Sequence, residues 1–362
     1  MMKKIDNPIG LKGVSFIEYG AQKSIELEPL FRQFGFLFKA KMHEQNIDLY
    51  RQGNIFFILN SQSQSFAQKF SVIHGTCICA TGFLVEDASA AFTKAIARGA
   101  KAYTGGSGDK LADFLPAIYG IGDSLIYFVD EAGEKKLFSL FSDKKNANPI
   151  ELKTGAIADQ AMNPSAGLLA IDHFTNNVPV GEMQKWCDFY SQIFGFYEAR
   201  FFDIRGKKTG LISKVMRSPC GTFSVPINEP TEAKSQIQEY LDDYKGSGIQ
   251  HVAMLTNDII STVRFLLSQG IQFLSSPPKT YYDAVKTRIP LVTEDVSTLQ
   301  ELGILVDGDH EGYLLQIFTK NLIGPIFFEV IQRKNHHGFG DGNFQALFDA
   351  IERDQKERGY LK

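Results

Sequence analysis

The sequence is poor in cysteine. Its four thiols, Cys77, Cys79, Cys187 and Cys220, are too few and too scattered across 362 residues to build a disulfide framework. Free, buried thiols in a reducing compartment are expected instead. No stretch approaches the roughly 18–20 consecutive apolar residues that a membrane span needs. Neither sign of charge is in excess: 38 basic residues against 41 acidic ones leave a net charge of −3. That balance gives no general drive toward nucleic acid or an acidic membrane surface. The first residues, Met-Met-Lys-Lys-Ile-Asp-Asn-Pro, carry charge without the apolar segment of a secretion signal. A soluble, cytoplasmic protein with neither a nucleic-acid nor a membrane partner is expected. Tryptophan occurs once and phenylalanine 30 times, so phenylalanine is the aromatic residue most available to a core and to a site.

The length allows two ordinary domains or one large duplicated one, and segments laid side by side favour duplication. Residues 12–19 resemble 169–175, and each is followed at a distance by an aromatic-Gly-Phe turn, Phe34-Gly35-Phe36 and Phe194-Gly195-Phe196. Two later apolar strands end in Asp87 and Asp258, residues suited to cap a helix. The helices predicted after them stop at Gly99 and Gly270, as helices commonly do. A further helix over 182–194 places Met183, Trp186, Tyr190, Ile193 and Phe194 on one face. The unit is strand, helix, then several strands, occurring four times. This predicts an α+β fold of tandem βαβββ modules forming two similar half-barrel or barrel domains, 1–150 and 151–362, joined near 145–165. A Gly-rich stretch, 338–343, then precedes a short helix with Phe344, Leu347, Phe348 and Ile351 on one stripe and Asn343 as its expected N-cap. That helix reads as a lid or as a static cover.

Three polar side chains interrupt apolar strand faces. His173 follows Leu169 and Ile171 at spacing two. His251 lies between Ile249 and Ala253, and Glu329 between Phe327 and Ile331. On a strand, residues two apart share a face, so each of the three points inward with apolar neighbours. A buried carboxylate is costly unless paired or bound to a metal. Two imidazoles and one carboxylate suit a divalent metal with open positions, typically non-haem Fe(II). At the places matching His173 and His251 the first half has Phe16 and Ala80, so packing alone does not demand histidine. His43, His74, His310, His336 and His337 read as solvated or loop residues. Polar candidates near the triad are Ser213, Asn228, Gln236, Gln250 and Gln316. On a regular strand Gln250 would face away from His251.

At these positions the sequence resembles the 4-hydroxyphenylpyruvate dioxygenase family of the vicinal-oxygen-chelate superfamily, from about residue 10 to the C-terminus. Seven motifs in order carry the likeness: Ile-Asp-His173-Phe-Thr, Val-Pro-Ile-Asn228-Glu-Pro, Lys-Ser-Gln236-Ile-Gln, Gly-Ile-Gln250-His251-Val-Ala, Leu-Leu-Gln316-Ile-Phe-Thr-Lys, Phe-Phe-Glu329-Val-Ile-Gln-Arg, and Gly-Phe339-Gly-Asp-Gly-Asn-Phe344-Gln-Ala-Leu-Phe348. The resemblance implies Fe(II) held by His173, His251 and Glu329. It implies an aromatic 2-oxo acid bound through two oxygens, and dioxygen as co-substrate. The products would be homogentisate and CO2, in tyrosine and phenylalanine catabolism. It further implies that Phe318 and Phe344 sandwich the ring. Ser213, Asn228, Gln236 and Gln250 would orient the substrate, and Gln316 would steer the reaction beside the iron. Phe327, Phe339, Asn343, Leu347 and Phe348 would complete the pocket and its lid. A homodimer or higher homo-oligomer is expected by the same likeness. The alternatives are 4-hydroxymandelate synthesis from the same substrate and, further off, a metal-free module that binds an aromatic ligand.

Overall fold

A computed structural model describes residues 6–42, 45–106, 109–143, 146–149, 165–206 and 208–361. His43, the expected junction near 145–165 and the boundary at 150/151 lie wholly or mainly outside the described residues.

The first half contributes β1 (Leu11–Gly20), β2 (Leu37–Met42), β3 (Ile47–Gln52), β4 (Ile55–Asn60), β5 (Cys77–Val85), β6 (Ala102–Tyr103), β7 (Ala117–Tyr119), β8 (Leu125–Val129), β9 (Phe141–Asp143) and β10 (Asn146–Pro149). The second half contributes β11 (Leu168–Asn177), β12 (Tyr197–Arg205), β13 (Gly210–Arg217), β14 (Ser224–Pro230), β15 (Gly248–Thr256), β16 (Leu305–Gly308), β17 (Tyr313–Phe318) and β18 (Phe327–Lys334). Among the described residues these form two mixed sheets, ordered β10-β9-β2-β3-β4-β1-β5-β8-β7-β6 and β12-β13-β14-β11-β15-β18-β17-β16. The sequence repeat is therefore a topological repeat. In each half one strand pairs antiparallel with the opening strand of the next module and parallel with the last strand of its own. The first sheet is longer by β9 and β10.

Local chemistry sets the helix ends. Asp87 accepts a hydrogen bond from the Ala90 amide and Asp258 one from the Ser261 amide, so both predicted caps form. The helix Met183–Phe194 stops at Gly195, whose φ of 77° suits glycine. One predicted cap does not form. The terminal helix runs Asp341–Glu357 from Gly340, and Asn343 sits inside its first turn with its side chain engaged elsewhere.

The halves pack on one another. Gln52 Oε1 accepts from the Leu168 amide at 3.0 Å, the Asn54 amide donates to the Leu169 carbonyl at 2.8 Å, and Phe34 meets Phe328 edge to face at 5.0 Å. His74 corrects an expectation. It is no loop residue but ends the helix Phe66–His74, stacks on Tyr244 at 4.6 Å and meets the Tyr244 carbonyl through Nδ1 at 2.7 Å. A helix end at the seam is invisible to strand spacing. All four cysteines are free, but Cys220, at the turn between β13 and β14, is not fully buried.

Candidate metal centre

His173, His251 and Glu329 come together. Each offers one ligand atom, and the three atoms lie within 4.8 Å of one another, all buried. His173 Nε2 stands 3.1 Å and His251 Nε2 3.5 Å from Glu329 Oε2. β15 lies between β11 and β18 and pairs with both, which brings three distant segments to one point. Burial pushes both imidazoles toward neutrality. At His173 the Glu329 and Asp172 carboxylates outweigh burial and hold the ring at about 9, while His251, buried beside that charge, is held well below the usual range. Two nitrogen donors and one carboxylate around a shared point fit a divalent metal, which would replace the proton on His173.

Both histidines are preceded by a bulge. Ile171 pairs with Met254 and His173 with Ala253, so Asp172 is the extra residue. Thr175 pairs with His251 and Asn176 with Ile249, so Gln250 is the extra residue. Each bulged side chain turns to the histidine after it. Asp172 Oδ1 lies 2.8 Å from His173 Nδ1, and Gln250 Oε1 lies 3.2 Å from His251 Nδ1. These contacts fix the ring planes and turn His173 Nε2 to Glu329, while His251 Nε2 also meets the Thr175 hydroxyl at 3.0 Å, a contact that a metal there would replace. Gln250 thus does not face away from His251, because the strand is not regular there.

The third ligand has a support too. Gln316 donates to Glu329 Oε1 at 2.9 Å and accepts from Asn343 at 2.9 Å, while Tyr281 donates to Asn343 at 2.7 Å. Gly340 makes this possible. Its φ is +72°, and a Cβ there would come 2.4 Å from Gln316 Oε1.

Phe327, Phe339 and Phe318 lie against the ligand histidines. Phe327 stacks on His251 at 4.7 Å, Phe339 lies 5.5 Å from His173, and Phe318 packs with Leu347 and Phe327 in one apolar cluster. Phe344 stacks on Phe202 at 4.9 Å and 5°, a partner that sequence reading missed because Phe202 lies on an irregular strand without a motif. Phe348 is buried against Gly206. On the polar side, Asn228 donates to Asn177 at 3.1 Å. Ser213 Oγ and Asn228 Oδ1, on directly paired residues, are buried with no hydrogen-bond partner among the described residues. A cavity of about 400 Å³ is lined by Gln236, Gln250 and Phe327 and by Ile351, Asp354 and Arg358 of the terminal helix. The metal ligands do not line it directly, and Gln250 and Phe327, which both touch His251, border it on their side. The terminal helix is docked by Arg358 and Gln355 on Glu239 and by Glu352, which accepts from the Thr209 amide and hydroxyl.

Among the described residues the first half has no such centre. Ala80 pairs with Leu125 as His251 pairs with Phe327, which sets Tyr127 in the register of Glu329. Phe16 and Tyr127 fill the place with rings 5.9 Å apart.

This fold and donor set define a metal-dependent enzyme of the glyoxalase and dioxygenase type. Residues 170–317 match the Glyoxalase/Bleomycin resistance protein/Dioxygenase superfamily, and residues 5–144 match the family described as Hydroxyphenylpyruvate dioxygenase, HPPD, N-terminal. The chain is 46% identical over 363 residues to Protein MelA of Shewanella colwelliana, covering 99% of this chain and 100% of that protein. It is 46% identical over 360 residues to the 4-hydroxyphenylpyruvate dioxygenase of Legionella pneumophila (strain Corby), covering 99% and 98%. A solved structure of a 4-hydroxymandelate synthase mutant from Streptomyces coelicolor shares the fold, with a TM-score of 0.76 and 24% identity over 95% of this chain and 99% of that one. The chain belongs to the 4-hydroxyphenylpyruvate dioxygenase family, and it is an oxidoreductase of the dioxygenase kind. Among the described residues no helix is long and apolar enough to cross a membrane.

Proposed function

We propose that the chain converts 4-hydroxyphenylpyruvate and dioxygen to homogentisate and CO2, in aromatic amino-acid breakdown, with Fe(II) held by His173, His251 and Glu329. The observation that carries this reading is the buried triad with its ligand atoms within 4.8 Å. Identity of 46% over nearly the whole length to the Legionella dioxygenase supports the choice of substrate.

His173, His251 and Glu329 would hold the ion and leave it accessible to substrate. Fe(II) would supply dioxygen activation and a chelation point for the two oxygens of the 2-oxo acid. The chain supplies the rest. Gln250 and Asp172 hold the imidazoles, and Gln316 holds the carboxylate. The unpartnered Ser213 Oγ and Asn228 Oδ1 are free to take polar groups of the substrate, and Gln236 and Gln250 border the cavity that admits it. Phe318, Phe327, Phe339, Phe344, Leu347 and Phe348 keep water from the centre, while Asn343 joins the terminal helix to Gln316. Residues 151–362 carry the chemistry and residues 1–150 serve as an apolar support, in a homo-oligomer working in the cytoplasm.

Anaerobic reconstitution with Fe(II), then 4-hydroxyphenylpyruvate and air, tests the reading. About one Fe(II) per chain and homogentisate are expected, with little iron retained by His251→Ala. Formation of 4-hydroxymandelate instead would keep the metal and overturn the product. Loss of neither iron nor turnover in His251→Ala would overturn the site.

A further inference from the structure

His173 is fastened to more than the strand that carries it. Asp172 receives both arms of Arg333, from Nε at 2.7 Å and Nη2 at 2.8 Å, a bidentate pair. The remaining nitrogen, Nη1, donates to the carbonyls of Gly338 at 2.6 Å and His336 at 3.1 Å. The guanidinium also lies 5.5 Å from the Phe339 ring, and that ring lies 5.5 Å from His173. The contacts close a loop: His173, Asp172, Arg333, the segment Gly338–Phe339, and back to His173. This segment immediately precedes Gly340, where the terminal helix begins. A second chain of bonds reaches the first turn of the same helix from another ligand, through Glu329, Gln316 and Asn343. The root of the terminal helix is therefore tied to two of the three metal ligands, by part-buried polar bonds through Arg333 and by buried ones through Gln316.

We propose that Asp172 and Arg333 are positioning residues that couple metal binding to docking of the terminal helix. A metal at the triad fixes the His173 and Glu329 side chains, and through these two struts it fixes the helix root. By linkage, a helix held in place must raise metal affinity by the same factor as the metal stabilises the helix. Both residues were within reach of sequence reading. Arg333 shares the Glu329 face at spacing four, and Asp172 adjoins His173, but only the bulge shows that they meet. The inference rests on the triad as a metal site and not on the identity of the aromatic acid.

The experiment uses the full chain with Co(II), whose visible spectrum reports ligand geometry, together with limited proteolysis of the terminal helix. In wild type, saturation with Co(II) should slow cleavage of the helix by about fivefold or more. Arg333→Gln should weaken Co(II) binding roughly 10–100-fold, shift the Co(II) spectrum and remove the metal-dependent protection. Arg333→Lys, which keeps the charge but not the fork, should restore only part of it. Asp172→Asn/Arg333→Gln removes both members of the pair and leaves no orphaned charge. It guards against a variant that does not fold, and it should behave like the single variants rather than their sum. Phe348→Ala, which loosens the helix without touching a ligand, should lower Co(II) affinity in turn. Wild-type Co(II) affinity and spectrum in the double variant, or in Phe348→Ala with its helix cleaved faster, would overturn the coupling. Failure of wild type to bind Co(II) would sink the metal site and the coupling together. Normal coupling in a chain that does not turn over 4-hydroxyphenylpyruvate would leave it standing and refute only the proposed reaction.

Discussion

Glu18 is a deeply buried acid in the first half. It is buried on β1, takes one hydrogen bond from Asn60 at 2.7 Å, and leaves Oε2 without a partner among the described residues. Burial pushes its carboxyl up to about 7 from an ordinary 4.5, the Asn60 bond opposing the rise and Asp109 adding to it. Below pH 4.5 the acid is protonated in both the folded and the unfolded chain. Between 4.5 and 7 the unfolded chain gives up its proton first, so stability falls as pH rises through that window and levels off above it. At about 1.4 kcal/mol per unit, the loss is on the order of 3 kcal/mol. Urea midpoints should drop more steeply between pH 5 and pH 8 in wild type than in Glu18→Gln, the histidines contributing alike to both curves. Equal slopes in the two proteins would show that Glu18 ionises normally.

At the scale of elements, the paired strands β13 and β14 hold Ser213 opposite Asn228, with an orphan oxygen on each. Burying an unsatisfied hydroxyl costs stability, so Ser213→Ala should leave the ligand-free chain as stable as wild type or up to about 1 kcal/mol more stable. The same change should raise KM for the 2-oxo acid several-fold if that hydroxyl receives a substrate group. Thermal melts of the free protein and steady-state kinetics would separate the two effects. Elements also mark where the sequence could be read and where it could not. His173, His251 and Glu329 were legible because a charged or polar side chain in an apolar frame of period two has few explanations. The turn of Gln250 toward His251 was out of reach because a bulge adds one residue, and strand spacing assumes none. Asn343 was misread as a cap because its amide is spent on Gln316, a contact 27 residues away that no local rule reaches. The Phe202–Phe344 stack joins β12 to the terminal helix and has no signature in either segment.

The whole molecule has more to hold it than a tether between two repeats. One apolar cluster runs from Phe34 and Phe57 in the first half through Phe328 and Phe174 in the second. Phe328 stands fully buried on β18 beside Glu329, and its ring meets Phe34 edge to face. Phe328→Ala should therefore cost about 3–5 kcal/mol, as for other buried phenylalanines. It should lower the stability of both halves together rather than of the second alone. Urea unfolding followed by the fluorescence of Trp186, in the second half, and by hydrogen exchange in β3 and β4 would show one shared transition moving as a unit. Two separated transitions would mean that the seam is weaker than its packing. The fourfold repeat was readable from the sequence. The seam was not, since its residues share no period and His74 and Tyr244 meet across 170 positions.

The glycine at 340 carries a wider consequence. A methyl group at that point would overlap the amide that steadies the metal-binding carboxylate. Any lineage that places a larger residue there must begin its last helix from a different anchor, or surrender the bond between that amide and Glu329. This single position therefore offers a way to sort distant members of the family, from sequence alone, into those that can seat the final helix in this manner and those that cannot.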